Sequence, residues 1–521
     1  MEKANSFRLS FVLQLLYFSE SCIATNIRTD QSALLAFKAG INLNSFHPLT
    51  QSWSFHASVC DWVGVTSGSR HHRVTALNES NMNILGTIPP QLGNLSFLVS
   101  LDVSKNNFRG GFPHDLSRLR RLRVIDLGYN NFSGEIPMWF GFSSDLQMLI
   151  LDNNRSLPVD IYYRLQRIKS ISIISNQLSG DIPAGIIPEM IGNLRNLQQL
   201  QLENNQIRGS IPWTISNMSS LWLLNLNTNN SSGVIPREIG NLHKLETLFL
   251  QYNKLSGRIP EELFNISTLG GMSLANNDLS GSLPLDSGYW LTNLQLLHLG
   301  GNNIGGVIPS SISNSSSLKS LTFIELGNNP LNGVLPDSIG NLSNSLESFY
   351  FYQSEIRGQI PLGVGNLSNL NAFSLSSNDL TGSVPKTFCN VHNLQMLMLD
   401  NNRLSGTLPE CLCILPELGG IDLSYNQISG PIPYCIGNVT SLRYIYLFSN
   451  ELTNMPMGLW SLKDLVDLDL SNNSLIGSLP PNFGNLNAII LVDLSRNHLS
   501  GSIPTTSFWL IMRDYSRVTD K

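Results

Sequence analysis

The sequence predicts an α/β repeat protein: a curved right-handed solenoid with a parallel sheet on its concave side and a helical cap at its N-terminus. Three observations support this. Ile-Pro or Leu-Pro pairs recur every 24 residues, an asparagine stands seven residues before most of these prolines, and alternating leucines precede the asparagines. The step of 24 residues holds within three groups: Pro89, Pro113 and Pro137; Pro212, Pro236, Pro260 and Pro284; Pro361, Pro385, Pro409 and Pro433.

The repeated frame, LxxLxLxxNxLxGxIP, is a leucine-rich repeat. Each LxL predicts a short strand whose leucines point inward, so that Leu399 and Leu423 stack in one continuous core. The asparagine can pair with buried backbone groups, the glycine permits a bend, and the proline ends strand pairing. About eighteen repeats between Val74 and Pro504 would form a parallel sheet roughly 80 Å long.

The ends of the chain predict further segments. Lys3 and Arg8, an apolar run from Leu9 to Phe18 and small residues up to Ala24 are typical of a signal peptide at 1–24, although a buried N-terminal helix is an alternative. Residues 25–73 are predicted to form the cap, 74–504 the repeats and 505–521 a non-repeat tail. No later run reaches the roughly 18 apolar residues that a spanning helix needs, so we expect no membrane span in this chain.

Some positions depart from the frame. The interval between prolines is 21 residues for 137–158, 29 for 183–212 and 27 for 309–336, which predicts local irregularity, particularly at 181–190 and 315–318. Glu79 occupies an inward slot that holds Val103 or Leu127 in other repeats, so its carboxyl group must reach solvent or be protonated.

Four cysteines occur in neighbouring repeats. Cys389 and Cys413 are 24 residues apart, as are Cys411 and Cys435, which predicts the disulfides Cys389–Cys413 and Cys411–Cys435 in a secreted chain. Free thiols are one alternative, and a zinc site formed by Cys389, His392, Cys411 and Cys413 is a weaker one.

Acceptor sequences for N-glycosylation are frequent and indicate an extracellular glycoprotein. We expect modification at Asn94, Asn131, Asn217, Asn265, Asn341, Asn366, Asn438 and Asn472. Asn154 and Asn229 fall in the inward asparagine slot, and we expect both to be buried and unmodified.

Composition and motifs argue against several other functions. Charged residues are 13% of the chain and the net charge is -5, so no basic surface for nucleic acid is expected. The sequence contains no hydrolase, metalloprotease, phosphate-loop or kinase motif, and we predict no enzyme, cofactor or metal. His72 as a general base is a weaker interpretation than a solvated cap loop, and Asp422, Asp469 and Asp493 are better interpreted as a recognition surface.

Outward strand positions form a column that we expect to face the ligand: Asn225, Phe249, Ser273, His298, Glu325, Tyr350, Ser374, Met398, Asp422 and Tyr446. Exposed aromatic residues on a rigid sheet suit an extended peptide. The predicted ligand-binding residues are a first patch of Phe249, Tyr252, His298, Glu325, Tyr350 and Tyr352 and a second patch of Tyr444, Tyr446 and Phe448. The alternative is that these outward aromatics have no role or are covered by glycans.

The segments LSGRIPEELFNIS (255–267) and LTGSVPKTF (380–388) resemble the ectodomains of plant leucine-rich-repeat receptor-like kinases. TDQSALLAFKAGI (29–41) is similar to the capping helix of that family, and Trp53, Cys60, Trp62, Gly64 and Val65 fit its W…CxWxGV pattern. Residues 81–98 are most similar to the immune-receptor branch that senses microbial peptides. The family has a second cysteine where this chain has Ser67, which would leave Cys60 without its cap disulfide.

The resemblance implies an extracellular module that binds a peptide or protein on its concave face for signalling or defence, with a co-receptor kinase docking near the C-terminal repeats. In the family a spanning helix and a kinase follow the repeats, so we expect a chain truncated before them, secreted to the apoplast or, if the protein continues, held at the plasma membrane. Kinase activity would belong only to such a missing domain. The alternatives are a secreted inhibitor, similar to those that block microbial polygalacturonases, a decoy, or a non-functional truncated copy.

Overall fold

The computed structural model describes residues 27–134, 145–154, 165, 167–176, 187–283, 291–308, 310–313, 318–502 and 504. The predicted signal peptide and the predicted tail lie outside these residues. So do most of 137–158, 181–186 and 315–317, where irregularity is predicted. The chain divides into two compact units, Met1–Ile207 and Arg208–Lys521.

The first unit begins with the helices Ile27–Ala39 and Pro48–Ser52, within the predicted cap. Asp30 in the first turn and Lys38 in the last turn suit the dipole of the longer helix, which buries Ala33, Leu34 and Phe37. The Asp30 carboxylate accepts hydrogen bonds from Arg73 Nη2 at 2.7 Å and from the backbone N–H of Val74 at 2.9 Å. This buried pair fixes the helix to the first strand of the repeats.

The main sheet of the first unit starts with an antiparallel pair, Val65–Ser67 with Val74–Asn78. Parallel strands follow at Ser100–Asp102, Val124–Asp126, Met148–Ile150, Ser170–Ser172 and Gln199–Gln201. A second set of strands lies on its flank at Ile41–Asn42, Leu85–Gly86, Asn107–Gly110 and Asn131–Phe132.

The main sheet of the second unit is parallel throughout its described strands: Leu223–Asn225, Thr247–Phe249, Gly271–Ser273, Leu296–His298, Phe323–Glu325, Ser348–Tyr350, Ala372–Ser374, Met396–Met398, Gly420–Asp422, Tyr444–Tyr446, Asp467–Asp469 and Leu491–Asp493. The last residues of successive strands pair in register from Asn225 to Tyr446 and on to Asp469 and Asp493, which confirms the predicted outward column. Three small members, Asn225, Ser273 and Ser374, are nevertheless buried among their neighbours.

The recurrent asparagine pairs with backbone groups in most repeats, as predicted, and these side chains together form an asparagine ladder in which each repeat contributes one rung. Asn277 is typical: its Nδ2 donates to the carbonyls of Leu250 and Leu274, both at 3.0 Å, and its Oδ1 accepts from the N–H of Leu255 at 2.9 Å. One side chain therefore pairs backbone groups of two adjacent repeats that the packing hides from water. Asn154 is buried as predicted, whereas Asn229 is only half-buried.

Ser354 interrupts this ladder. The hydroxyl of Ser354 donates to the carbonyl of Tyr352 at 2.9 Å. A serine has no amide group to accept a hydrogen bond from the preceding repeat, and there the N–H of Leu331 donates to Asn329 O instead.

The flanking strands of the second unit also break near Ser354. One set comprises Arg208–Gly209, Asn230–Val234, Lys254–Arg258, Asp278–Gly281 and Asn303–Ile304, and the next comprises Arg357–Gly358, Asp379–Gly382, Arg403–Gly406, Gln427–Gly430 and Glu451–Leu452. Ile476–Gly477 pairs with His498–Leu499.

A short 3-10 helix follows the proline of most repeats. The helices are Pro90–Asn94, His114–Arg118 and Glu189–Asn193 in the first unit, and Trp213–Asn217, Arg237–Asn241, Glu261–Asn265, Ser310–Ser313, Asp337–Asn341, Leu362–Asn366, Lys386–Asn390, Glu410–Ile414, Tyr434–Asn438, Met457–Ser461 and Pro481–Asn485 in the second. Val59–Asp61 in the cap is also a 3-10 turn. Neighbouring helices are offset by two residues. Gly240 is the fourth residue after its proline, and it faces Glu262, which is the second residue after the next proline. A Cβ added at Gly240 would stand 2.5 Å from Cβ of Glu262.

This offset corrects the predicted disulfide pairing. The four cysteines are bonded as Cys389–Cys411 and Cys413–Cys435, with Cα–Cα distances of 5.5 and 5.7 Å. Cys389 and Cys413 are the fourth residues after their prolines, and each faces the second residue of the next helix rather than its own equivalent. The pairing by equal repeat position was wrong, and the zinc alternative fails because its three thiols are in disulfides.

The inward position of Glu79 has the expected consequence. Its side chain is 0% exposed, and neither carboxyl oxygen has a hydrogen-bond partner among the described residues. Burial raises the pKa of Glu79 to about 8, so the carboxyl group is protonated at neutral and acidic pH. Within the part of the chain that the structure describes, no helix is long and apolar enough to cross a membrane.

Candidate functional site

The first predicted patch contains a polar chain that crosses adjacent strands of the second unit. The Nε2 of His298 lies 2.9 Å from Oε2 of Glu325, and the hydroxyl of Tyr352 donates to Oε1 of the same carboxylate at 2.6 Å. On the other side, Nδ1 of His298 lies 3.2 Å from the hydroxyl of Ser273. Ser273, His298, Glu325 and Tyr352 thus form one continuous relay, in which the position of each side chain is fixed by the next.

The relay is largely shielded from solvent, since the side chains of His298 and Glu325 are only 24% and 15% exposed. Burial raises the pKa of Glu325, but the hydrogen bonds from His298 and Tyr352 outweigh it, so the net pKa lies below the ordinary value. Burial and the hydrogen bond to Glu325 raise the pKa of Tyr352. The carboxylate is therefore ionised and the phenol neutral over the physiological range.

Aromatic rings continue the first patch. The ring of Phe323 lies 6.1 Å from that of His298, edge to face, and 5.8 Å from that of Tyr350. Tyr352 lies over Gly327, where an added Cβ would stand 2.6 Å from the ring, so a side chain there would displace the tyrosine. The structure joins His298, Glu325, Tyr350 and Tyr352 into one surface.

The other two predicted members of this patch are less closely attached. Phe249 is half-buried, with its ring 3.5 Å from the position of a Cβ on Gly271. Tyr252 is 55% exposed on the turn after the strand. Sequence reasoning missed Phe323 and Gly327. Phe323 could have been found because it occupies the outward slot two residues before Glu325.

The second patch contains Tyr444, Tyr446 and Phe448, which alternate along one chain segment and so share a face. The hydroxyl of Tyr446 donates to Oδ2 of Asp467 at 2.8 Å, and the rings of Phe448 and Tyr425 meet edge to face at 5.0 Å. Burial and the bond to Asp467 raise the pKa of Tyr446. Tyr350 and Tyr446 are four strands apart, roughly 19 Å at the usual strand spacing, so the structure does not merge the two patches.

Carboxylates adjoin the second patch. Burial raises the pKa of Asp422 and of Asp469, and repulsion from neighbouring aspartates adds to it: Asp400 and Asp469 act on Asp422, and Asp493 and Asp467 act on Asp469. These aspartates therefore lie close enough to repel one another on the C-terminal part of the sheet face.

The geometry does not favour catalysis by the relay. Ser273 is the hydroxyl beside His298, but its side chain is buried beneath its neighbours and cannot meet a substrate carbonyl. Among the described residues, no group of three or more His, Cys, Asp or Glu side chains is arranged to hold a metal ion.

The repeat frame, the stacked parallel strands and the helical cap define a leucine-rich-repeat protein. The family model "Leucine rich repeat N-terminal domain" matches residues 27–66, and models for leucine-rich repeats match 392–452 and 97–119, 121–143, 196–218, 244–266, 293–315, 320–342, 369–391 and 464–486. The chain belongs to this family and is homologous to the ectodomains of plant leucine-rich-repeat receptor kinases. The predicted fold class and family are therefore confirmed.

Solved ectodomains cover most of the chain. The ectodomain of GASSHO1/SCHENGEN3 from Arabidopsis thaliana, solved with CASPARIAN STRIP INTEGRITY FACTOR 2, is 31% identical with a TM-score of 0.79, over 92% of this chain and 63% of that one. The plant peptide hormone receptor RGFR1, solved with RGF2, is also 31% identical, with a TM-score of 0.70 over 86% and 81%. The Arabidopsis receptor kinase HAESA, solved with the peptide IDA and the co-receptor SERK1, is 27% identical with a TM-score of 0.57 over 92% and 91%.

Curated relatives match over shorter segments. The receptor-like kinase EFR of Arabidopsis thaliana is 37% identical over 95 residues, which are 18% of this chain and 9% of EFR. Polygalacturonase inhibitor 1 of the same plant is 32% identical over 94 residues, which are 17% of this chain and 28% of the inhibitor. The matched segments thus span a small part of either relative.

Proposed function

We propose that this chain is an extracellular ligand-recognition module of a plant receptor kinase or receptor-like protein, and that it binds an extended peptide, or an extended segment of a protein, on the sheet face of its second unit. The observation on which the proposal rests is the relay from Ser273 to Tyr352 with Tyr350 and Phe323 beside it. A surface in which each side chain is held by the next loses little conformational freedom on binding. The complexes of the peptide hormone receptor RGFR1 with RGF2 and of HAESA with the peptide hormone IDA support the same use of a homologous fold.

The charge of the face suggests the kind of peptide. Tyr444, Tyr446 and Phe448 lie among Asp422, Asp467 and Asp469, a surface suited to a side chain that is both long and positively charged, which can lie across an aromatic ring. We therefore expect a ligand with apolar or aromatic residues at the first patch and a lysine or arginine at the second. The distance between the patches corresponds to about six extended residues.

The test is a random peptide library selected against the immobilised chain. Peptides that bind should lose at least tenfold in affinity when Tyr350→Ala and Tyr352→Ala are combined, because the double change removes two rings at the centre of the face. Tyr434→Ala is the matched control, since Tyr434 is 77% exposed at the start of a 3-10 helix, away from the sheet. Equal affinity for the double variant and the parent chain would discard the first patch, and failure to select any face-dependent peptide would contradict the proposal.

The proposal includes location and partner. The chain would act outside the cell, either secreted or at the cell surface, and a co-receptor kinase would dock near the C-terminal repeats beside the bound ligand. The complex of HAESA with the peptide hormone IDA and the co-receptor SERK1 supports the participation of a co-receptor. Titration of the chain with a co-receptor ectodomain, with and without a selected peptide, measures whether the peptide promotes co-receptor binding. Binding of the co-receptor that does not depend on the peptide would argue against this arrangement.

A secreted inhibitor is the second candidate, because the chain also matches polygalacturonase inhibitor 1. An assay of microbial polygalacturonases with added chain separates the two functions. Stoichiometric inhibition of the polygalacturonase would favour the inhibitor function. Full polygalacturonase activity in the presence of micromolar concentrations of this protein would favour the receptor module.

A further inference from the structure

The 3-10 helices of the second unit end in a recurrent glycosylation signal. The last helical residue is an exposed asparagine, five residues after the proline, and a serine or threonine stands two residues further on. The positions are Asn217, Asn265, Asn341, Asn366 and Asn438. Because each helix is displaced by the same two residues against its neighbour, equivalent positions still line up, and these asparagines form one column along a single flank.

The local backbone suits a bulky group at this position. After Asn217 and Asn366 the next residue makes a tight turn near an inverse γ-turn, with φ -78° and ψ 66° at Met218 and φ -79° and ψ 66° at Leu367. Leu342, after Asn341, is instead in the right-handed helical region. The N–H of Ser368 closes one such turn onto Asn366 O at 2.9 Å. Met218 and Leu367 are buried, so the chain is anchored beside the asparagine while the asparagine itself faces solvent.

The inward asparagines differ in every respect. Asn154 also begins an acceptor sequence, but it is only 8% exposed, and its Nδ2 donates to the carbonyls of Leu127 and Leu151, both at 3.0 Å. A sugar on Nδ2 would remove one of the two amide hydrogens and would need space inside the core. A folded chain can therefore tolerate an oligosaccharide at the helix ends but not on the ladder.

The flank can be identified from chain order. Where a repeat has a flanking strand, that strand follows the C-terminal end of a main strand, as Asn230–Val234 follows Leu223–Asn225. The helix end instead precedes the N-terminal end of the next main strand, as Asn217 precedes Leu223. The two ends of parallel strands lie at opposite edges of the sheet. The asparagine column therefore borders the edge where the main strands begin.

We propose that N-linked oligosaccharides at these five asparagines cover this edge of the second unit over residues 213–438, so that a macromolecular partner must approach the sheet face there from the opposite edge, where the flanking strands lie. The predicted site Asn472 lies on that opposite edge, but in a later repeat. A branched oligosaccharide is wider than the strand spacing of about 4.8 Å, so glycans one to three repeats apart shield the helix ends between them. This inference goes beyond peptide recognition and does not depend on the identity of the ligand.

The chain offers a matched gain-of-site variant. Asn241 occupies the same exposed position at the end of Arg237–Asn241, but His243 stands where an acceptor needs serine or threonine. His243 is exposed, so His243→Ser creates an acceptor sequence in a rung between Asn217 and Asn265 without touching the core. If the helix-end position is what allows a glycan without loss of stability, His243→Ser gains one glycan at Asn241 and has the same melting temperature as the parent chain.

Glycopeptide mass spectrometry of the chain secreted from plant cells tests the site assignment. We expect most molecules to be modified at each of the five asparagines, an additional glycan in His243→Ser, and no modification of Asn154. A secreted, folded chain with unmodified helix-end asparagines, or with a sugar on Asn154, would overturn the assignment.

Shielding is tested separately with single-domain antibodies selected against the glycosylated chain and mapped by hydrogen exchange. Their epitopes should avoid the helix ends at 213–217, 261–265 and 362–366, and antibodies selected after enzymatic deglycosylation should include them. Epitopes at these helix ends on the glycosylated chain would refute the shielding while leaving the peptide-binding proposal unaffected.

Discussion

At the scale of single residues, Glu79 is the strongest conflict between a side chain and its position. The repeat assigns an apolar residue to this inward slot, and the structure buries the carboxyl group there with no partner for either oxygen in the part of the chain that it describes. A buried acid of this kind favours its protonated form, because the low dielectric of the core penalises the charge. Glu79 therefore couples the stability of the first unit to pH.

Glu79→Leu is predicted to remove that coupling. Below pH 4.5 the Glu79 carboxyl group is protonated in both the folded and the unfolded state, so no charge has to be buried. Between pH 4.5 and about 8 it is protonated only in the folded state. The free energy of unfolding therefore falls as pH rises, by up to about 1.4 kcal/mol per pH unit. Leucine should therefore stabilise the first unit by several kcal/mol at pH 8 and much less at pH 5. Urea denaturation at both pH values measures this.

Glu451→Leu is the control, since Glu451 is exposed. A pH dependence that is the same in Glu79→Leu and in the parent chain would show that Glu79 is not the titrating group.

Asn277 is predicted to be among the residues least tolerant of truncation. Asn277→Ala removes the amide that pairs the carbonyls of Leu250 and Leu274 and the N–H of Leu255, and these buried groups have no access to water. Since each orphaned group costs about 1–3 kcal/mol, a loss of 3 kcal/mol or more is expected, on the order of several degrees in melting temperature. Asn276→Gly should be nearly neutral, because Asn276 is exposed and glycine accepts its φ of 53°. Equal destabilisation by both changes would argue against the ladder as the cause.

At the scale of elements, the offset between neighbouring 3-10 helices has the clearest effect. The fourth residue after one proline faces the second residue after the next, which explains both the close backbone approach at Gly240 and the pairing of the cysteines. The two disulfides link three successive helices, Lys386–Asn390, Glu410–Ile414 and Tyr434–Asn438.

Paired cysteine variants distinguish the two possible connectivities. Combining Cys389→Ser with Cys411→Ser should remove one complete bond and leave Cys413–Cys435 intact, so thiol titration detects no more free thiol than in the parent chain. Combining Cys389→Ser with Cys413→Ser should instead release Cys411 and Cys435 as two additional thiols. The reverse pattern would restore the pairing by equal repeat position.

At the scale of the whole molecule, stability is approximately a sum over stacked repeats, and the ends of a stack need caps. In the first unit the cap is held by the buried pair of Asp30 and Arg73 and by the stacked rings of Trp53 and Trp62, 5.2 Å apart. Among the described cysteines, Cys60 alone is outside a disulfide.

Ser67→Cys is predicted to strengthen this cap. Cys60 Sγ lies 3.9 Å from the carbonyl of His72, whose N–H bonds to Gly68 O, so Cys60 lies beside the hairpin that contains Ser67. A new disulfide would close a short loop and stabilise the first unit by about 2 kcal/mol. Thiol titration and thermal unfolding measure the bond and its effect. Ser69→Cys, on the exposed tip, should leave both thiols reactive, and reactive thiols in Ser67→Cys would disprove the prediction.

The sequence by itself determined the repeat, the faces and the ladder. Because each repeat reuses the same backbone path, a period of 24 residues is sufficient to place Phe249, His298, Glu325 and Tyr350 in one outward column, and the structure confirms that column in register. Spacing also placed Glu79 inward, where its burial followed from the core that surrounds it.

Only the tertiary structure decided which members of the column touch, how the cysteines pair and where the flanking strands break. The relay of His298, Glu325 and Tyr352 depends on side-chain rotamers and on the space above Gly327, and the disulfides depend on a two-residue offset between helices. Both are set by packing between repeats. A period specifies equivalent positions within repeats, but it contains no information on how far one repeat is shifted against the next.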